Sequence, residues 1–161
     1  MKKLFAILAA LFVAQSVFAQ NKMSFSDGSV AGEIPAGWMV LYGGPDSSCS
    51  MYIFAPEKDG DDFREIITVS SEVLPAGQEF TEELYLTAVV TNLKAAYPTF
   101  KTVKSGKDWN ISDYETDGVK VRMYTRVFIK DGTAYLLIAQ SDLKDFKTFE
   151  KVFKEILFSF N

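Results

Sequence analysis

The chain has 161 residues, with 17 Lys plus Arg against 21 Asp plus Glu, one Cys and no His. The missing His removes the commonest general base and transition-metal ligand, and the single Cys excludes an intramolecular disulfide framework. A net charge of −4 argues against a binder of nucleic-acid phosphates, while 48% hydrophobic and 14% aromatic residues exclude a disordered chain.

At the start, Lys2 and Lys3 precede an uninterrupted apolar run of 11 residues, Leu4 to Ala14. Val17-Phe18-Ala19 then places small residues at −3 and −1 of a cut before Gln20. These features predict a cleaved secretory signal over residues 1–19. The run is too short for a spanning helix, which needs roughly 20 apolar residues. Removing 19 residues leaves 142, and losing the two lysines takes the charge from −4 to −6. That length fits a single domain, residues 20–161, able to bury a core without staples. Cys49 lies too far past the cut to carry a lipid anchor. The expectation is an exported bacterial protein, periplasmic or secreted, with no integral membrane segment after cleavage.

Along the remaining chain, Met23 to Phe25, Val30 to Ile34 and Trp38 to Tyr42 read as short extended pieces, with Pro35-Ala36-Gly37 as a turn between the last two. Cys49 to Ala55 is rich in Tyr, Ile and Phe and reads as a strand. Arg64 to Leu74 is apolar on both faces, which predicts a central strand. Thr81-Glu82-Glu83 offers a cap and first-turn acids for a helix over 82–97, stopped by Pro98. Its stripes, Tyr85-Val89-Leu93-Ala96 and Leu86-Val90, suggest cover on more than one side.

Phe100 to Lys104 and Asn110 to Thr116 read as further strands. Asp117-Gly118 and Asp131-Gly132 are hairpin signals, because both turn positions need φ > 0. Between them, Val119, Val121, Met123, Thr125, Val127 and Ile129 alternate with Lys120, Arg122, Tyr124, Arg126, Phe128 and Lys130, a period of two over twelve residues. Thr133 to Gln140 is the last strand, and a helix follows over about 145–158. Phe146, Phe149, Phe153, Ile156 and Phe160 form its sheet-facing stripe. The predicted class is α+β: an antiparallel β-sheet of about six or more strands flanked by two main helices, an α/β/α sandwich.

This order of motifs resembles the PsbP-like fold family, which includes the extrinsic subunits of photosystem II and DcrB-like envelope proteins. The resemblance rests on Ile34-Pro35-Ala36-Gly37-Trp38 and on Leu74-Pro75 before the acidic helix. It rests also on the Asp117-Gly118 and Asp131-Gly132-Thr133-Ala134-Tyr135 strand pair, and on the closing Phe146 to Leu157 helix with Ser159-Phe160. It covers roughly residues 22–161. It implies non-enzymatic docking, assembly or accessory work, and transfers no functional residue, because the matched motifs are structural. DcrB-like members are lipoproteins, and this chain departs from them in lacking a Cys at the cut.

Three constellations remain. The stripe Lys120, Arg122, Tyr124 and Arg126 is either a docking face for an acidic partner or a face of long stems under cover. Trp38, Trp109 and Tyr114 either line an apolar cleft for a small molecule or lipid or anchor the core. Glu57, Asp59, Asp61 and Asp62 lack the spacing of a calcium loop and read as a solvated loop. Cys49 is either a buried thiol or a partner for another chain. No catalytic, cofactor or metal motif is visible. The expected function is therefore an exported, non-enzymatic binding or accessory module of the cell envelope. Its partner would be an envelope protein or, alternatively, a small apolar ligand.

Overall fold

The computed structural model describes residues 20–24, 30–44, 47–58 and 63–161. The expected export segment, residue Phe25 and the acids Asp59, Asp61 and Asp62 lie outside the described residues. The elements run β1 (Gln20–Ser24), β2 (Ala31–Pro35), β3 (Met39–Tyr42), β4 (Met51–Phe54), β5 (Ile66–Val73), α1 (Glu82–Ala96), β6 (Lys101–Ser105), β7 (Trp109–Thr116), β8 (Val119–Lys130), β9 (Thr133–Asp142) and α2 (Phe146–Ser159). β1 and β2 form a separate antiparallel ribbon, while β3-β4-β5-β9-β8-β7-β6 form one antiparallel sheet.

The sheet follows from local chemistry. Asp117 and Asp131 hold φ of 50° and 51°, and Gly118 and Gly132 hold 77° and 74°. These turns match the right-handed twist of the strands they join. They align β7 with β8 and β8 with β9 without a shift. β5 sits between β4 and β9, as its two-sided apolar content predicts.

The two helices lie on opposite faces. α2 packs on β8, β9 and the ribbon strand β2. Phe146, Phe153, Ile156 and Leu157 are buried against Met51, Ile53, Ile67, Val69, Tyr124, Phe128, Leu137 and Ala139. This is the main core, and the predicted aromatic stripe builds it. Phe160 behind the helix is fully buried. Its ring occupies the space a side chain at Gly32 would need, so a β-carbon there would collide with it. Gly32→Ala is therefore expected to destabilise the protein by about 1–3 kcal/mol, read as a lower midpoint in denaturant at unchanged slope.

α1 is held more loosely. Thr81 caps it, its Oγ1 accepting from the Leu84 N–H at 3.2 Å. Leu86 is its one buried residue. Cover on more than one side is thus corrected: α1 packs mainly on β8, with Leu93 and Tyr97 over Tyr114, Val121 and Met123, and Tyr85 donates to Glu72 of β5 at 2.7 Å. Val90 and Val89 stay partly exposed, and Ala96 is exposed.

Candidate binding surface

Strand register shows what each helix covers. On the α2 side, the transverse row Val40, Ile53, Ile67, Ala139, Tyr124, Ile111 runs from β3 to β7. All but Val40 are buried. On the α1 side the rows grade from exposed to buried. One runs Met39, Phe54, Ile66, Gln140, Met123, Ser112, and its neighbour runs Leu41, Tyr52, Thr68, Ile138, Thr125, Asn110. In both, the β3 residue is exposed, those of β4, β5 and β9 are partly exposed, and those of β8 and β7 are buried. α1 shelters the β7–β8 end and leaves the β3-β4-β5-β9 part half-covered. That surface is apolar and aromatic, with Arg64 lying over the Phe54 ring at 5.2 Å.

The stripe Lys120, Arg122, Tyr124 and Arg126 lies on the other face, the one α2 covers. An open basic face there is corrected. Tyr124 is 3% exposed and packs on Trp109 at 5.5 Å. Arg122 is paired bidentately with Asp113 across the β7–β8 ladder, at 2.6 and 2.8 Å, beneath the Phe146 ring. That hydrogen-bonded pair lifts the guanidinium above its usual value, with burial opposing. Arg126 donates through Nη1 to the carbonyls of Leu157 and Phe160, stacks on the Phe158 ring at 4.5 Å, and lies 3.7 Å from Asp108. Burial holds it below its usual value, Asp108 opposing. Only Lys120 is exposed. Of the charges that read as a solvent face, Arg126 ties the end of α2 and Phe160 to the sheet, and Arg122 ties β8 to β7.

The aromatic trio does not converge. Trp38 meets Phe149 and Phe153 of α2, each at 6.3 Å. Trp109 faces the same side but belongs to β7 at the far end of the sheet. Tyr114 points to the α1 side, 4.4 Å from Tyr97, and accepts from Gln140 at 3.2 Å. A single cleft lined by all three is corrected to three separate anchors. Burial, with Tyr97 beside it, pushes the Tyr114 hydroxyl up to about 12. An unfolded tyrosine ionises near 10, so stability is present below pH 10 and is lost as pH rises from 10 toward 12. Tyr114→Phe is expected to blunt that alkaline loss, as measured by melting temperature across pH 9–12.

A different cleft, of about 550 Å³, opens where the β7–β8 turn meets the end of β9, lined by Phe63, Val119, Lys120, Asp142, Leu143 and Lys144. Burial works to raise the Asp142 carboxyl, but the Asp145 N–H at 2.8 Å and Lys144 at 3.0 Å outweigh it and hold it below its usual value. The cleft had no sequence signal, because its walls come from three separate connections. Cys49, on the β3–β4 connection, is a partly exposed free thiol. Among the described residues, no group of three or more His, Cys, Asp or Glu is placed to hold a metal ion, and no helix is long and apolar enough to cross a membrane.

No protein-family model matches the chain, and no curated protein matches it by sequence. Solved structures do. The yeast Ran-binding protein Mog1p from Saccharomyces cerevisiae superposes with a TM-score of 0.62 at 10% identity, over 89% of this chain and 95% of that one. The cyanobacterial PsbP of Synechocystis sp. PCC 6803 gives 0.60 at 12% identity, over 92% and 95%. The fold is PsbP-like. LpqN of Mycobacterium tuberculosis, a protein involved in cell envelope biogenesis, has the same architecture, with a TM-score of 0.57 at 14% identity over 94% and 95%. At these identities the likeness is one of fold. It agrees with the resemblance carried by Ile34-Pro35-Ala36-Gly37-Trp38 and the two Asp-Gly turns.

Proposed function

We propose that this chain is an exported, non-enzymatic binding or accessory module of the bacterial cell envelope. The observation that carries the reading is the half-covered, apolar and aromatic sheet face formed by Met39, Leu41, Tyr52, Phe54, Ile66 and Thr68. A contiguous apolar surface beside a well-packed core marks a place where another molecule sits. Aromatic side chains supply such contacts at low entropic cost. Export is supported by the Lys2-Lys3 start, the apolar run and the Ala19 cut. An envelope role is supported by LpqN, which shares the fold and is involved in envelope biogenesis.

A second reading, a carrier of a small apolar molecule, is favoured by the cleft of about 550 Å³ at Phe63, Val119 and Leu143. Its volume lies within the range of small-ligand sites. Native mass spectrometry of the protein purified from its own host separates the two. A co-purified polypeptide is the expected result. A retained small molecule with no polypeptide would replace docking by carriage.

A further inference from the structure

Beneath part of α1 the sheet is polar where a core would be apolar. Strand register places Ser105, Asn110 and Thr125 in one transverse row of β6, β7 and β8, and Thr102 and Ser112 in the next. Directly opposed residues share a face, so these side chains all lie on the α1 side. In a regular strand Thr102 and Ser105 would fall on opposite faces. The pairing of β6 with β7 shifts between Thr102 and Lys104, and that bulge turns both toward α1. Above them α1 presents Glu83, Thr87, Thr91 and Lys94, spaced i, i+4, i+8 and i+11 along one helical face.

Between these two polar layers opens a cleft of about 300 Å³, to which Lys107 also contributes. Asn110 lies at its floor, 3% exposed; its Oδ1 accepts from the Ser112 hydroxyl, and its amide nitrogen is left as a donor. Thr125, beside it in the row, is fully buried, and its hydroxyl has no hydrogen-bond partner among the described residues. Unpartnered buried polar groups are rare in folded proteins and call for an explanation. The walls sort into acceptors and donors. Thr87 and Thr91 donate to the Glu83 and Thr87 carbonyls, each at 2.8 Å, and so offer only lone pairs to the cleft. Glu83 is a further acceptor, while Lys94, Lys107 and the Asn110 amide are donors. Two ammonium groups against one carboxylate leave a balance of one positive charge.

We propose that this cleft binds a monosaccharide carrying one carboxylate, a sugar acid. Lys94 and Lys107 hold the carboxylate. The ring hydroxyls donate to Thr87, Thr91 and Glu83 and accept from the Asn110 amide. Leu86 and Val90, which also line the cleft, give the carbon face of the ring an apolar strip. A neutral sugar would leave the two cations without an anion. A simple carboxylate would leave the Thr and Glu acceptors without donors, and a phosphate dianion exceeds the single positive charge on offer. The volume is at the small end of the range for ligand sites, which suits one ring and not a chain. The cleft lies at the β6–β7 end of the sheet, away from the β3-β4-β5-β9 face. The inference therefore goes beyond the docking reading and stands or falls separately from it.

Titration with sodium D-glucuronate, followed by the side-chain amide signals of Asn110 in isotopically labelled protein, tests it. Saturable shifts of those signals are expected, with D-glucose, acetate and inorganic phosphate each binding at least about tenfold more weakly. Lys94 and Lys107 are exposed and form no ion pair among the described residues. The Lys94→Gln/Lys107→Gln double variant is therefore expected to keep its melting temperature and to bind glucuronate about tenfold more weakly. Absence of saturable shifts would overturn the proposal. So would binding of glucose, acetate or phosphate as tight as that of glucuronate, or undiminished glucuronate binding by the double variant.

Discussion

Replacing Phe153 with alanine is expected to cost about 3–5 kcal/mol, the range for a large aromatic removed from a packed core. Phe153 is fully buried at the centre of the α2 interface. It meets Trp38 edge-on at 6.3 Å, stacks with Phe149 at 5.7 Å and contacts Phe146 at 6.0 Å. Three rings lose a common neighbour, and the backbone of a helix pinned at both ends has little room to close the cavity. For a chain of this size the loss corresponds to a melting temperature lower by about 10 °C. Leu84→Ala on α1, at a side chain 54% exposed, is expected to change stability by no more than about 0.5 kcal/mol. Equal effects at the two positions would contradict the asymmetry between the helices.

The second large effect is at Arg126. Its guanidinium donates to the carbonyls of Leu157 and Phe160, which end α2 and have no helical partners of their own. Arg126→Ala leaves both without this donor and removes the cation from the Phe158 and Phe128 rings. The expected loss is about 2–4 kcal/mol, from charged hydrogen bonds and cation–π contact together. Arg126→Lys is expected to recover only part of it, because an ammonium lacks the planar fork that spans two carbonyls. Lys120→Ala, exposed at the start of the same stripe, is expected to be near neutral. Chemical denaturation of the three variants checks the order.

Much of the fold was legible because it is set locally. Two Asp-Gly turns dictate two hairpins, the β8 alternation dictates a strand with two distinct faces, and the Phe146-Phe149-Phe153 spacing dictates a helix that lies on a sheet. The candidate surface was not legible, for a physical reason. Alternation says that Lys120, Arg122, Tyr124 and Arg126 share a face, but not which helix returns to cover it. Arg122 and Arg126 then find a carboxylate and two carbonyls that lie 9 to 34 residues away in sequence. The half-covered face was hidden for the converse reason. It is assembled by pairing β4 with β5 and β5 with β9, and its openness depends on α1 standing over β8 instead of over the sheet's centre. Trp38, Trp109 and Tyr114 looked alike as large anchors, yet strand parity sends Tyr114 to the opposite side from Trp109.

The half-covered β3-β4-β5-β9 face is proposed as the working surface of an envelope binding module. The most direct test is affinity capture from the host's envelope fraction with three proteins: the unaltered chain, a Phe54→Asp/Thr68→Asp double variant, and Lys120→Glu. Both altered strand residues are partly exposed on that face, and the β3 edge is left untouched. Loss of a specific captured polypeptide by the double variant, with retention by Lys120→Glu and unchanged circular dichroism, is the result expected. Undiminished capture by the double variant would contradict the claim.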